Sequence, residues 1–402
     1  MTKDEKWFNK KMDRREFLKK AGIGGAGLAL GVSSASAFFA NQAKEDKKFA
    51  DGEEEISFYG EHQAGITTAM QKNIYFVILD LHTTDRETTI QMFKDWTVYS
   101  EKLVNGELVK KDGANALLPP TDTGETVGLN PYRLTLTFGV SASFLKKMGL
   151  EDKKPKEFRD MPPFPKEQLK EKYTGGDIVI QACADDEQVA FHAVRNLVRK
   201  ARNAVTMKWS QAGFAAIGDR LSTPRNLFGF KDGTANVTKE KDFDKVVWCD
   251  SKDWMKGGSY MAVRRIQMFL ETWDRTNLQE QENTFGRYKE SGAPFGKKNE
   301  FDEVDLDLLP VDAHVRLAKE VDKPLYRRSY SYSDGIDETT GQFDTGLLFI
   351  SFQKDPDSFI KVQTNLGAQD KMNEYITHVG SGLFACFGGV KKGEYLGQKL
   401  FE

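Results

Sequence analysis

Apolar positions along this chain change period repeatedly, from two to about 3.6, and the switches mark the elements. Residues 74–81 form a nearly continuous apolar and aromatic run that predicts a strand, with a helix following over about 85–102. Residues 134–138 alternate and predict a second strand, and residues 177–182 a third. Asp185 and Asp186 stand where carboxylates cap a helix at its positive end, and that helix is expected to run to about Asn203. The second half repeats the phrase. An apolar run over 347–352, the acidic turn Asp355-Pro356 and a helical stretch through Val362 echo residues 178–186 and the helix behind them. A strand, acidic turn and helix used twice points to duplication. Residues 261–268 add a strand with polar side chains at period-two positions. The order β-α-β-β-α-β, used twice, predicts an α+β fold of two ferredoxin-like units with antiparallel sheets.

Ser222, Thr223 and Pro224 break the periodicity and place a boundary between an N-terminal unit over 56–221 and a C-terminal unit over 222–402. Surface loops are expected over 153–172, 284–298 and 333–345.

The first 55 residues read differently. Arg14-Arg15 precedes a Gly- and Ala-rich apolar segment from Ala21 to about Ala37, and Ala35-Ser36-Ala37 offers a small-residue cleavage site. This pattern predicts a twin-arginine (Tat) signal over 1–43, although Asp13 stands where such signals usually carry Ser or Thr. The segment is short and weakly apolar for a membrane span, which needs about 20 apolar residues. Export to the periplasm or the outer face of a cell envelope is the expectation. Residues 44–55 are charged and poor in apolar side chains, and a disordered tether is expected there.

A net charge of −2 argues against a nucleic-acid partner. Only Cys183, Cys249 and Cys386 occur, an odd number whose spacing suits neither a zinc site nor a disulfide framework. Cys183 and Cys386 lie in apolar runs and are expected to be buried.

The candidate chemistry centres on Gly229-Phe230-Lys231-Asp232-Gly233, His314 and Arg327-Arg328. An acid, an imidazole and a guanidinium are the groups that can surround a porphyrin iron, one as axial ligand and the others as proton-handling partners. Taken alone, a Gly-x-x-Asp-Gly run is most often a turn. The longer stretches carry more. NLFGFKDGT over 226–234, the stretch over 257–296, DAHVRLA over 312–318, RRSYSYSDG over 327–335 and DTGLLFISFQKDP over 344–356 occur in that order, after YGEHQAGI over 59–66 and residues 176–197. In order and wording they resemble the dye-decolorizing peroxidase family, and look closest to its exported deferrochelatase/peroxidase branch, which serves Efe/Fep-type iron uptake. The resemblance covers nearly all of the chain after residue 55.

That resemblance implies a haem b peroxidase using hydrogen peroxide, with the haem held mainly by the C-terminal unit. No C-x-x-C-H motif is present, so the haem would be held non-covalently. The resemblance makes Asp232 the distal acid–base, His314 the iron ligand and Arg327 the distal guanidinium, which would also reach a haem propionate, with Arg328 on the opposite strand face as a structural residue. Gly233, Thr234 and Ala235 would line the haem edge, and Leu347 and Phe349 would dry the pocket. Among the five histidines, His62 is the second choice as ligand, and His192 reads as a packed helix residue. The second partner of a ligating His314 is not legible, since Asp312 is too near in sequence. Where relatives commonly carry Asn-Pro-Arg, this chain reads Lys319-Glu320-Val321, so propionate anchoring would fall to Arg316, Lys319 or Arg264. Tyr326, Tyr330, Tyr332 or Trp273 would relay electrons from bulky donors. The branch further implies a membrane iron permease and an iron-binding lipoprotein as partners, and a homodimer. Its role there is to release iron from haem with the porphyrin intact, or to oxidise ferrous iron. The alternative is a haem carrier of the cell envelope with little turnover, which would use His314 and not need Asp232.

Overall fold

Strand β1, Asn73–Leu81, forms where the unbroken apolar run leads the sequence to expect it, and in the computed structural model it lies at the centre of one half of a large sheet. The structure describes residues 52–110, 115–217 and 223–402. The helix Arg86–Val104 follows, capped by Asp85, whose side chain accepts the Thr88 N–H at 2.8 Å, and it buries Phe93 and Trp96 against the sheet. Then come β2 (Thr135–Val140), β3 (Ile178–Ala184), the helix Glu187–Lys200 and β4 (Val205–Phe214). The second half supplies β5 (Ser259–Met268), β6 (Tyr326–Arg327), β7 (Tyr330–Ile336) and β8 (Phe343–Gln353). The helix Pro356–Gln369 and β9 (Ile376–Cys386) close it.

All ladders are antiparallel. The first half is ordered β2-β3-β1-β4 and the second β7-β8-β5-β9, the same arrangement of a β-α-β-β-α-β unit twice. Two narrow seams join them. Gly139 and Val140 of β2 pair with Cys386 and Ala385 of β9, and Phe214 of β4 pairs with Ser331 of β7. Since β5 also pairs with β8, the strands close into a ring. Phe76, Ile78, Cys183, Met261, Val263, Leu348, Ile350 and Cys386 form one core drawn from both halves. All three cysteines are free and buried.

The structure departs from the sequence-based expectations in particular places. Asp186 alone caps its helix, while Asp185 takes the Arg133 guanidinium at 3.2 Å and the Lys72 N–H at 3.1 Å. That helix ends at Lys200, and β4, which was not foreseen, begins only five residues later. The stretch over 333–345 is largely paired, because the β7–β8 hairpin extends out to Ile336 opposite Phe343. The loop over 153–172 is not wholly superficial, since Phe158 and Phe164 are buried and Glu167 pairs with the buried Arg264. Gly52–Glu55, read as the end of a tether, are tied down: the carbonyls of Gly52 and Glu54 accept from Tyr132 and Arg133 N–H groups. The rest of the tether and the whole Tat signal lie outside the described residues, as does part of the boundary at 221–226.

Candidate active site

The second half builds a cavity of about 630 Å³ between its sheet and its helices. Strand alternation makes the sheet wall. Leu348 and Ile350 of β8 point into the shared core, so Leu347 and Phe349 face the other way, into the cavity, beside Ile266 and Met268 of β5. The opposite wall is helical, from His314, Val315 and Ala318 on the helix His314–Glu320 and Val362 and Leu366 on Pro356–Gln369. The two helices are stapled by Asn365 Nδ2, which donates to Leu317 O at 2.7 Å.

His314 opens its helix, and its Nδ1 lies 2.6 Å from Asp370 Oδ2. Asp370 is only 3% exposed and also caps the next turn, accepting from the Met372 N–H at 2.8 Å. Its geometry is therefore set from two directions, and the ring is left with Nε2 for the cavity it lines. Burial opposes a charge on His314, but the Asp370 carboxylate outweighs it and raises the proton affinity of the ring above that of an ordinary histidine. An imidazole oriented through its other nitrogen by a carboxylate is the arrangement of a metal-ligating histidine. Asp370 is 56 residues from His314 and looks in sequence like a helix-end cap, so no local signal could have paired them.

Asp232 and Arg327 come from segments 95 residues apart and meet at 3.0 Å, Arg327 Nη1 to Asp232 Oδ1. The Asp232 loop turns on Gly229 (φ +82°) and Gly233 (φ +129°), backbone conformations that a side chain disfavours. Asn226 braces its start, accepting the Phe228 and Phe230 N–H groups on Oδ1. The loop is also bound to β6 through Asn236. Its side-chain amide donates to Arg327 O and accepts from Arg327 N–H, both at 2.8 Å, and so acts as a neighbouring strand for a two-residue edge. Below, buried Glu300 accepts from Thr234 Oγ1 at 2.8 Å and pairs with Lys231. Asn236 and Glu300 were not singled out in sequence. Asn236 lies just past the recognised run, and Glu300 is one acid within an acidic stretch.

All the site residues expected from sequence line this one cavity: Asp232, Gly233, Thr234, Ala235, His314, Arg327, Leu347 and Phe349. Arg328 turns away and is fully buried, donating to Thr68 O at 2.5 Å and to Gln71. His62 is elsewhere, stacked on Trp248 at 3.7 Å with Nδ1 on Gly257 O. His192 is buried in its helix, its ring close to Asp122, Glu125 and Asn196. Of the three cations expected at the propionates, only Lys319 lines the cavity, at an exposed rim shared with Lys323. Arg316 is engaged by Glu320 and Arg264 by Glu167. Tyr326, Tyr330, Tyr332 and Trp273 are all buried, so none is itself a surface terminus for electrons.

Two family models match in tandem: Dyp-type peroxidase, N-terminal, over residues 63–215 and Dyp-type peroxidase, C-terminal, over residues 223–391. A deferrochelatase of Yersinia pestis is 38% identical over 371 residues, covering 86% of this chain and 84% of that protein. One of Escherichia coli O157:H7 is 37% identical and covers 97% of each. Among solved structures, ferric DtpA of Streptomyces lividans superposes with a TM-score of 0.81 at 36% identity, covering 88% of this chain and 98% of that one. A DyP-type peroxidase of Streptomyces coelicolor gives 0.82 at 36% identity, with 88% and 99% covered. The chain belongs to the Dyp-type peroxidase family, a class of haem peroxidases. Within it, its similarity lies with the deferrochelatase branch. The cavity suits the cofactor of that class. It lies within the usual size of a ligand pocket, its walls are mostly apolar, His314 offers Nε2, and cations stand at its edges.

Replacing Asp370 by Asn keeps the shape but removes the charge that orients His314. Haem affinity is expected to fall about 10- to 100-fold, the usual cost of losing such a partner, and titration of the apoprotein with haem reads it. Unchanged affinity would mean that Asp370 only caps the turn.

Proposed function

We propose that the cavity binds one haem b non-covalently, that His314 would hold its iron through Nε2, and that the protein is a peroxidase serving iron acquisition after export by the Tat route. The observation that carries the reading is the meeting of the His314–Asp370 pair and the Asp232–Arg327 pair in a single apolar cavity. Haem, when bound, supplies the iron redox chemistry of peroxide cleavage. The chain's own residues handle the protons and the charge. Asp232 would take the proton from one oxygen of hydrogen peroxide and return it to the other, which leaves as water as the O–O bond breaks; bound haem would supply the two electrons and keep the remaining oxygen atom. Arg327 orients the peroxide and offsets negative charge on the departing oxygen, held to that task by Asn236. Leu347 and Phe349 exclude water from the space between, where a dry wall strengthens both interactions.

The names of the relatives support deferrochelation, iron release from haem with the porphyrin left intact; oxidation of ferrous iron for a permease is the other chemistry of this role. A permease, an iron-binding lipoprotein and a second copy of the chain are the partners this reading entails. The test incubates the holoprotein with haem, measures iron-free porphyrin by mass and, in parallel, follows peroxide-dependent dye loss. Dye loss that needs both peroxide and bound haem is expected. Iron-free porphyrin formed alongside it assigns the iron role to deferrochelation, and the absence of both activities overturns the proposal.

A further inference from the structure

Arg287 is a buried cation with no ion-pair partner among the described residues; the Glu300 carboxylate acts on it only from beyond ion-pair distance. Arg287 follows Gly286, the left-handed residue that ends the helix Leu278–Phe285, it is 7% exposed, and it lines the cavity. Its Nη1 donates to Gly292 O at 2.7 Å and Glu300 O at 2.9 Å, both neutral carbonyls. The nearby carboxylates are taken. Glu300 is held by Lys231 and Thr234, and Asp232 by Arg327. Among the described residues no carboxylate lies within ion-pair distance of this guanidinium. Among the described residues Nε and Nη2 have no hydrogen-bond partner, neither is sealed in protein, and the residue lines the cavity.

Its position is informative. Phe285, two residues earlier, sets its ring 6.4 Å from the His314 ring. Gly292, whose carbonyl Arg287 holds, packs so closely on Lys231 that an added Cβ would fall 2.7 Å from the lysine Cδ. Lys231 is the neighbour of Asp232. Arg287 therefore bridges the His314 side and the Asp232 side of the cavity. The 285–292 segment that carries it thus reaches both the ring of His314 and the loop of Asp232, the two groups between which a flat ligand would lie.

We propose that Arg287 receives a carboxylate on the edge of the bound porphyrin, a propionate. This rests on the reading that the cavity holds haem. A desolvated, unpaired charge is costly, and it is tolerated where a ligand brings the opposite charge. The guanidinium fork suits a carboxylate, and only the part of it not used by Gly292 and Glu300 is needed. Lys319 and Lys323, exposed on the rim, are screened point charges and hold the ligand less tightly. This assigns the buried anchor to a residue remote in sequence from the Lys319-Glu320-Val321 position where relatives carry their arginine.

The test titrates haem and haem dimethyl ester, in which both propionates are neutral, into apoprotein of the wild type, Arg287→Met and Arg287→Lys. Arg287→Met is expected to weaken haem roughly ten- to hundredfold and to leave the dimethyl ester unaffected. Arg287→Lys keeps the charge without the fork and is expected to fall between. Equal weakening of both ligands means that Arg287 only braces the loop, and no weakening of either removes it as an anchor; both overturn the proposal. If Arg287→Met does not fold, the same comparison is read from Arg287→Lys. Failure of the wild type to bind haem with a His314-dependent Soret band would instead overturn the haem reading itself.

Discussion

Asp232→Asn is expected to bind haem as the wild type does and to lose about 10²- to 10⁴-fold in kcat/KM for hydrogen peroxide, the range that a positioned acid–base contributes. The substitution is nearly isosteric. An Asn oxygen can still accept from Arg327 Nη1, now at 3.0 Å, and the backbone bond from residue 232 N–H to Pro224 O is untouched. Gly229 and Gly233 hold the loop in the same turn. Only the group that accepts and returns a proton is lost. Steady-state turnover with several dyes, at saturating dye and varied peroxide, measures the effect. Full activity across those dyes would remove Asp232 from the proton path and leave the envelope carrier as the better account.

His314→Ala is expected to cost more than the roughly hundredfold that loss of an orienting partner costs, because the ligating atom itself goes. The Soret band should weaken or vanish. Asp370 would then be left buried with, among the described residues, only the Met372 N–H on its carboxylate, an uncompensated charge that also lowers stability. Added imidazole should enter the space left by the ring and restore part of the spectrum, which separates lost ligation from a lost fold. An unchanged spectrum in the variant would place the iron ligand elsewhere.

The contrast between these two sites explains what sequence could and could not reveal. Asp232 lies in a short glycine-punctuated run, and Arg327 and His314 lie in equally distinctive stretches, so each was visible locally. The strand alternation that turns Arg327 to the cavity and Arg328 to the core is likewise a local property. Asp370, Asn236, Glu300 and Arg287 do their work through partners 56, 91, 66 and 13 residues away. Asp370, Asn236 and Glu300 read locally as caps, turn residues or surface charges, and Arg287, although inside the distinctive 257–296 stretch, carries no local sign of its role; only tertiary packing gives one. The same limit applies to β4, whose alternation is masked by Lys208, Ser210 and Gln211, and to Asp185, drawn from its helix end by Arg133.

The ring closure has its own bearing on biosynthesis. Each half, taken alone, is an open sheet with two naked borders, at β2 and β4 in one and at β7 and β9 in the other. Unpaired strand borders invite association with any other chain in reach. The N-terminal half leaves the ribosome first, and both borders stay unpaired until its sister arrives to pair with one end of each. A nascent chain stalled in the middle is therefore a hazard to its neighbours, and separately expressed halves would be expected to precipitate alone and to recover when made together.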